Sequence, residues 1–514
     1  MAFCSLPLLC VATCDWSCRH AAGETHGILS EVSQRSTSRG GPPWRACEPS
    51  PHGHTVVSLG GSNTGGANAL ETSRTGATRY GRHLDSFGAL FSQMLQSNGT
   101  RHRLAMRADG GSSPMFAGAC ASQFVPSNTI AGTVEYLPNI GYVKDDEAET
   151  GAIGNILRKL RDNGALAFAI NIVSGSARWQ RDHRPGSICS RLNASRAFES
   201  IVGCMSRARQ LHIRDMIVQL ARETGAYRIE VDADESPQLF GSDSFHLNQE
   251  GHRWVAEQMW AVYKRLPCAP RQLTRAGAGR AGLDNVNRGE LYRSATEGST
   301  MCLVGEELLA VVSANATAGF HHVDLNPPEK KTPKMVWEAR KPGATLSLCL
   351  PMALGVAAQR AERSKAMVEV RGRNMTLPDK QFRLGLGLIM SHAANLPLFG
   401  VARVDCAGAC KCSCEVADGA DCLVDTLSNG TRVTVTDYTR VLIVPRALSA
   451  ADAGKADRVG RMCGEGADPT AMCIVRVRNT RVQGARARVA VRSLTFGIND
   501  YRTNFKLAAS VRRA

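Results

Sequence analysis

Ser62 sits in the stretch His54-Thr-Val-Val-Ser-Leu-Gly-Gly-Ser-Asn-Thr-Gly-Gly66, where a β-branched and apolar run, Thr55 to Leu59, is broken by two glycines. A strand that ends in a glycine turn holds one hydroxyl at the edge of a sheet and strips the backbone of bulk, so a substrate can approach it. A serine hydroxyl is a poor nucleophile until a base takes its proton. Far downstream, Gly241-Ser-Asp-Ser-Phe-His-Leu-Asn-Gln-Glu-Gly-His252 supplies that base. Asp243 and His246 stand three apart on a loop entering a helix, so the carboxylate can orient the imidazole while the other ring nitrogen faces the serine. The chemistry this set performs is acyl transfer through serine: Ser62 attacks a carbonyl, His246 moves the proton, and Asp243 holds the imidazolium. His252 reads as structural, since one base is enough. His52, His54 and His83 also lie near Ser62 in sequence. No carboxylate is placed to orient His52 or His54, and Asp85 follows His83 inside a helix, where neighbours two apart do not face each other.

Gly60-Gly-Ser-Asn-Thr64, with Asp243-Ser-Phe-His246 and Gly251-His252, resembles the first and last blocks of the SGNH (GDSL-type) hydrolases. Arg107-Ala-Asp-Gly-Gly-Ser-Ser113 resembles the family's glycine block, which points to Gly111 and then to Gly110. Val134-Glu-Tyr-Leu-Pro-Asn139 resembles the strand that ends in the family's oxyanion asparagine, which points to Asn139. The resemblance thus implies an oxyanion hole built from the amides of Ser62 and Gly111 and the side chain of Asn139. The chain departs from the family where Gly61 replaces the usual Asp, where Ile140 follows the asparagine, and at Leu137-Pro138. Proline cannot donate to a ladder, so the strand is expected to end at Leu137.

The resemblance implies a flavodoxin-like three-layer α/β/α domain with a parallel sheet. It also implies a serine esterase acting on a small acyl group, acetyl on a carbohydrate, with neither cofactor nor metal. If a sugar hydroxyl replaces water in the second half-reaction, the same site is an acyltransferase. The partner is then an ester-bearing small molecule or an acylated glycan. The alternative is a non-catalytic glycan-binding or cell-surface protein that keeps the fold.

The elements that must position these groups alternate strand and helix over 51–267 in the manner of a parallel sheet. Phe87, Leu90, Phe91, Met94 and Leu95 form one helical stripe. The sequence predicts further strands at Arg103 to Met106, Ala165 to Val173 and Arg228 to Asp232, and further helices around Ile153 to Leu160, over 211–224 and from Val255. Ala165 to Val173 is apolar on both faces, as a central parallel strand should be. The catalytic groups then fall at the carboxyl ends of strands. Residues 1–50 read as a signal-like, flexible leader, 268–300 as a linker, and 301–514 as a cysteine-rich β-sandwich-like domain. Short strands are expected there at Leu308 to Val312, Ala344 to Leu350, Ala366 to Val370, Arg432 to Val435, Val441 to Val444, Cys473 to Val477 and Arg488 to Val491. Trp337-Glu-Ala-Arg-Lys-Pro-Gly343, with the strand after it, resembles the carbohydrate-binding-like β-domain that trails some SGNH proteins of algae and plants.

The 514 residues are 43% hydrophobic, which excludes a disordered chain and leaves room for two or three cores. The net charge is +16. With no run of five or six like charges and no nucleic-acid motif, this favours an anionic glycan over nucleic acid. Eighteen cysteines, with sequons at Asn98, Asn193, Asn315, Asn374 and Asn429, fit a secretory route. No stretch is apolar for long enough to predict an internal membrane span. Cys406, Cys410, Cys412, Cys414 and Cys422 lack paired zinc knuckles and read as disulfide formers. Cys4, Cys10, Cys14 and Cys18 sit in the leader. Glu135 and the acidic run from Asp145 to Glu149 read as a solvated turn before a helix rather than a metal site. Oligomeric state is not written in the sequence.

Overall fold

The computed structural model describes residues 54–67, 69, 85–108, 113–140, 146–176, 206–266, 300–325, 335–351, 367–370, 373–376, 382–390, 400–414, 422–425, 435–445, 462–463, 472–480 and 488–497. The leader, Gly110, Gly111, His52, His83 and the sequons at Asn193 and Asn429 lie outside these. So does the linker, apart from its last residue.

The first half is a parallel sheet of β1 (His54–Gly60), β2 (His102–Ala108), β3 (Thr129–Glu135), β4 (Leu166–Val173) and β5 (Tyr227–Asp232), in the order β2-β1-β3-β4-β5. Its helices are α1 (Phe87–Ser97), α2 (Pro114–Ala119), α3 (Ala121–Phe124), α4 (Asp146–Asp162), α5 (Arg207–Thr224) and α6 (Gln249–Arg265). On one face, Phe87, Phe91 and Leu95 of α1 and Val255 and Met259 of α6 pack on Val56, Phe168 and Ile170. Each such side chain, fully removed from water, contributes roughly 2 kcal/mol. On the other face, Ile153, Ile156 and Leu160 of α4 and Ile213 and Ile217 of α5 cover Val57, Val134 and Ala169. The result is three layers, α/β/α, with β4 buried over its whole length. Side-chain oxygens start the helices: Ser86 caps α1, Ser206 caps α5, and Asn248 caps α6 by accepting from Gly251 N at 2.9 Å. The strand order reverses between β1 and β3, the switch point where open α/β sheets place ligands beyond their carboxyl ends.

The second half is built from β6 (Thr300–Val304), β7 (Phe320–Asp324), β8 (Met335–Ala339), β9 (Thr345–Pro351), β10 (Met367–Val370), β11 (Arg373–Thr376), β12 (Phe382–Met390), β13 (Val401–Gly408), β14 (Cys410–Cys414), β15 (Cys422–Asp425), β16 (Val435–Pro445), β17 (Met472–Thr480) and β18 (Val489–Gly497). One antiparallel sheet runs β14-β16-β12-β18-β8-β7 with β6 also on β18, and a second runs β15-β13-β17-β9. The two share one core: Leu386, Leu388, Val489 and Leu494 from the first meet Leu346, Leu348, Val404 and Val475 from the second. Within the dense cysteine cluster Cys406 bonds to Cys412, and Cys410 bonds to Cys473 beyond it, while Cys349 joins Cys463.

The halves meet along β6. Cys302 bonds to Cys120 and lies in the core of the α/β half, while its strand pairs with β18. The Gln123 side chain completes the free edge of β6, donating to Cys302 O at 2.9 Å and accepting from Cys302 N at 3.2 Å. Arg107 bridges to Glu307 at 3.2 Å.

Several expectations need correction. β3 ends at Glu135, two residues before the expected stop, because Leu137–Asn139 turns into a short 3₁₀ helix with proline in its first turn. Leu308 to Val312 is not a strand: Gly305–Ala310 is 3₁₀, started by the Glu307 carboxylate accepting from Val304 N at 3.0 Å. Val441 to Val444 is not a separate strand, since β16 runs unbroken from Val435, its polar middle paired with Gly385 to Gly387 of β12. Glu135 and Glu149 are not solvated, as both are fully buried. Glu149 accepts from Ser113 Oγ at 2.9 Å, and Asp146 at the start of α4 is paired with Arg209 at 2.7 Å.

Candidate active site

Ser62 follows β1 on a tight turn in which Gly65 N, Gly66 N and Ala67 N donate to Gly61 O, Asn63 O and Ser62 O at 2.9 to 3.1 Å. Neither preceding glycine has room for a Cβ. At Gly60 the space is taken by Thr64 Oγ1 and Glu135 O, and at Gly61 by the carboxamide of Asn139. The unusual glycine of the first block therefore has a physical reason: it lets Asn139, buried on the 3₁₀ turn after β3, close against the backbone just before Ser62. Gly61→Ala is expected to push that carboxamide aside and lower kcat for an ester about a hundredfold, the usual cost of losing one oxyanion donor. Steady-state kinetics on a variant with unchanged thermal midpoint checks this, and an unchanged kcat would rule out the oxyanion role expected of Asn139.

The second piece is the loop between β5 and α6. Ser244 takes a left-handed conformation, φ 52°, which folds the chain back. Asp243 Oδ1 then accepts from the amides of Phe245 and His246, both at 2.9 Å, and Oδ2 faces His246 Nδ1 at 2.6 Å. Burial works to raise the Asp243 carboxyl, but the hydrogen bond and charge of His246, with the two amides, outweigh it and hold the group well below the usual carboxylate range. A neutral His246 that donates its Nδ1–H to Asp243 Oδ2 presents Nε2 as an acceptor, and Ser62 Oγ lies 2.7 Å from it. Phe245 stands edge-on to the imidazole, ring centroids 4.8 Å apart.

The structure thus brings Ser62, His246 and Asp243 into one hydrogen-bonded chain and sets Asn139 beside it. Gly111, the expected third oxyanion donor, lies outside the described residues, as does Gly110. His252 is fully buried under α1: Nδ1 accepts from Phe87 N at 3.3 Å, Nε2 donates to Ala67 O at 3.2 Å, and the ring stacks on Phe87. Burial pushes it down to about 4, so it stays neutral. His54 is buried at the start of β1.

Two residues near Ser62 take roles that the sequence does not announce. The Asn63 side chain accepts from Leu247 N at 2.8 Å and donates to Phe245 O at 3.5 Å. Glu135 Oε2 accepts from Thr64 N at 3.2 Å and Thr64 Oγ1 at 3.0 Å, while Gly61 N donates to Glu135 O at 3.1 Å. Glu135 therefore ties down the Ser62 turn on both sides of the serine. Burial raises the Glu135 carboxyl to about 8, against the hydrogen bonds from Thr64 and Gly61, which lower it.

Glu135 makes stability depend on pH in a definite direction. Between pH 4.5, the ordinary value, and about 8 the folded chain keeps a proton that the unfolded chain has lost, so stability falls as pH rises through this window. Glu135→Gln lacks that dependence. Urea unfolding is expected to show the variant gaining on the wild type by on the order of 4 kcal/mol between pH 5 and pH 8.5. A constant difference would mean that Glu135 titrates in the ordinary range.

No protein-family model matches the chain, and no curated protein does. Among solved structures it is similar to a two-domain esterase active on acetylated mannans, at 13% identity and a TM-score of 0.44 over 87% of this chain and 92% of that one. It is also similar to a psychrotrophic esterase from Pseudoalteromonas sp. (14% identity, TM-score 0.26, 41% of this chain and 97% of that one). A third is an acetylxylan esterase from Geobacillus stearothermophilus (10% identity, TM-score 0.29, 43% and 98%).

Proposed function

We propose that the chain is a serine esterase that removes a small acyl group, acetyl on a carbohydrate, through an acyl-serine intermediate. The observation that carries this reading is the 2.7 Å approach of Ser62 Oγ to a histidine whose other nitrogen is held by Asp243. Ser62 attacks the acyl carbonyl while His246 Nε2 takes its proton. The tetrahedral oxyanion forms toward the Ser62 amide and the Asn139 carboxamide, with Gly111 as the third donor. His246 gives the proton to the departing sugar oxygen, then activates a water that releases the acid and frees Ser62. A glycan hydroxyl in place of that water makes the same site an acyltransferase.

The disulfide that joins the halves, those within the second half, and the exposed sequon asparagines Asn98 and Asn315 support a secretory route. No helix among the described residues is long and apolar enough to cross a membrane. The two sheets of the second half fit a glycan-contacting domain, with the division into 51–267 and 301–514 as in the sequence.

The test is covalent. A fluorophosphonate is expected to label the folded full-length chain on Ser62, read by peptide mass, and the labelled protein is expected to stop releasing acetate from an acetylated oligosaccharide. A folded chain that takes no label anywhere would sink the esterase and leave a glycan-binding protein. Label with acetate release from aryl esters alone would keep the esterase and move its substrate away from glycans.

A further inference from the structure

Ser62 and His246 come from opposite ends of the α/β half, and their separation must be held to within a few tenths of an ångström for proton transfer. The hydrogen bond between them cannot do this alone, because it breaks and reforms in each turnover. A second connection runs beside it. Asn63, the residue after the nucleophile, is fully buried. Its carboxamide accepts from Leu247 N at 2.8 Å and donates to Phe245 O at 3.5 Å. These are the backbone groups on either side of His246, so the side chain pairs with the histidine segment as a neighbouring strand would.

We infer that Asn63 is a positioning residue that sets the reach of His246 to Ser62 by gripping the backbone on both sides of the histidine. The inference rests on the reading of Ser62 as nucleophile and His246 as base. Asn63 is one peptide away from Ser62, so the link has little slack. Its own segment is fixed: Asn63 O accepts from Gly66 N at 3.0 Å, and Thr64 is held by Glu135. On the other side, Asn248 anchors the loop, its Nδ2 donating to Gln238 O at 2.7 Å and Phe240 O at 3.0 Å. The Asn63 amide joins these two fixed pieces without entering the chemistry. Asp at this position has the same shape and keeps an acceptor for Leu247, but it turns an oxygen toward the Phe245 carbonyl. Ala removes both contacts.

The test uses the full chain, with p-nitrophenyl acetate as substrate and a fluorophosphonate as the probe of Ser62 reactivity. For Asn63→Ala, kcat is expected to fall about 10- to 100-fold with KM within about twofold. The rate of covalent inactivation is expected to fall in step, at a thermal midpoint that still leaves the protein folded. A residue that only stabilised the fold would leave both rates per folded molecule unchanged. If Asn63→Ala does not fold, Asn63→Asp decides: a tenfold or greater loss of kcat supports the grip, and an unchanged kcat overturns it. Asn63 variants as fast as the wild type, beside an inactive Ser62→Ala, overturn the grip and spare the nucleophile. A fully active Ser62→Ala overturns the esterase reading, and this inference with it.

Discussion

Ser62→Ala is expected to lower kcat for an aryl acetate by roughly a millionfold while leaving the thermal midpoint close to that of the wild type. The size follows from the loss of the covalent route: with no hydroxyl at 2.7 Å from His246 Nε2, only attack by water remains, helped by whatever oxyanion donors persist. The fold should tolerate the change. Ser62 is partly exposed, and the turn around it is held by backbone bonds and by Thr64 and Asn63 rather than by its own hydroxyl. The measurement is a paired kcat and melting curve on full-length protein. A loss below tenfold in a folded variant would mean that another group performs the hydrolysis.

Asp243→Asn is expected to cost about ten-thousandfold in kcat, through the imidazole tautomer rather than through displacement of the loop. Oδ1 of Asp243 accepts two amides, from Phe245 and His246. An asparagine must keep its carbonyl there, since its NH₂ group would face two N–H donors. Its NH₂ is then left pointing at His246 Nδ1, where the carboxylate oxygen stood at 2.6 Å. The ring answers by carrying its proton on Nε2, which presents a donor to Ser62 and cannot take the serine proton. Because the two amide bonds survive, loop and fold should persist, and melting and circular dichroism should stay near wild type. A variant retaining more than a tenth of the activity would show that Asp243 does not set the tautomer.

The parts of this site that were legible in the sequence are those whose signals are local. The glycines around Ser62 and the three-residue spacing of Asp243 and His246 lie within single turns, the apolar periodicity of 87–95 marks a covering helix, and the apolar run 165–173 marks the buried central strand. Grouped with the acidic run from Asp145, Glu135 reads in the sequence as a solvated turn residue. In the structure it is buried, and its carboxylate meets Thr64, 71 residues earlier. Asn63 carried no signal either, since its two partners lie more than 180 residues away and are backbone atoms, which have no residue type to recognise. Leu308 to Val312 shows the limit of apolar runs. Five apolar residues fit a strand or a buried turn equally well, and the Glu307 bond to the Val304 amide selects the turn. The shared role of β6 was hidden for the same reason as the Asn63 contacts: the pairing of Cys302 with Cys120 spans 182 residues.

That strand changes what the two halves are to each other. Cys302 sits in the core of the first half while its backbone bonds complete a sheet of the second, and Gln123 reaches out to the same peptide. A protease cut anywhere in 267–299 would leave both pieces joined, so a non-reducing gel would still show one band. Truncation before β6 would leave Cys120 as a lone thiol in a gap where a strand belonged, an opening for mispaired sulfur bonds. Recombination, in evolution or in the laboratory, could not lift the α/β half out as a ready cassette and graft it onto another β domain. It would have to carry Thr300–Val304 along, together with a sheet for that strand to join.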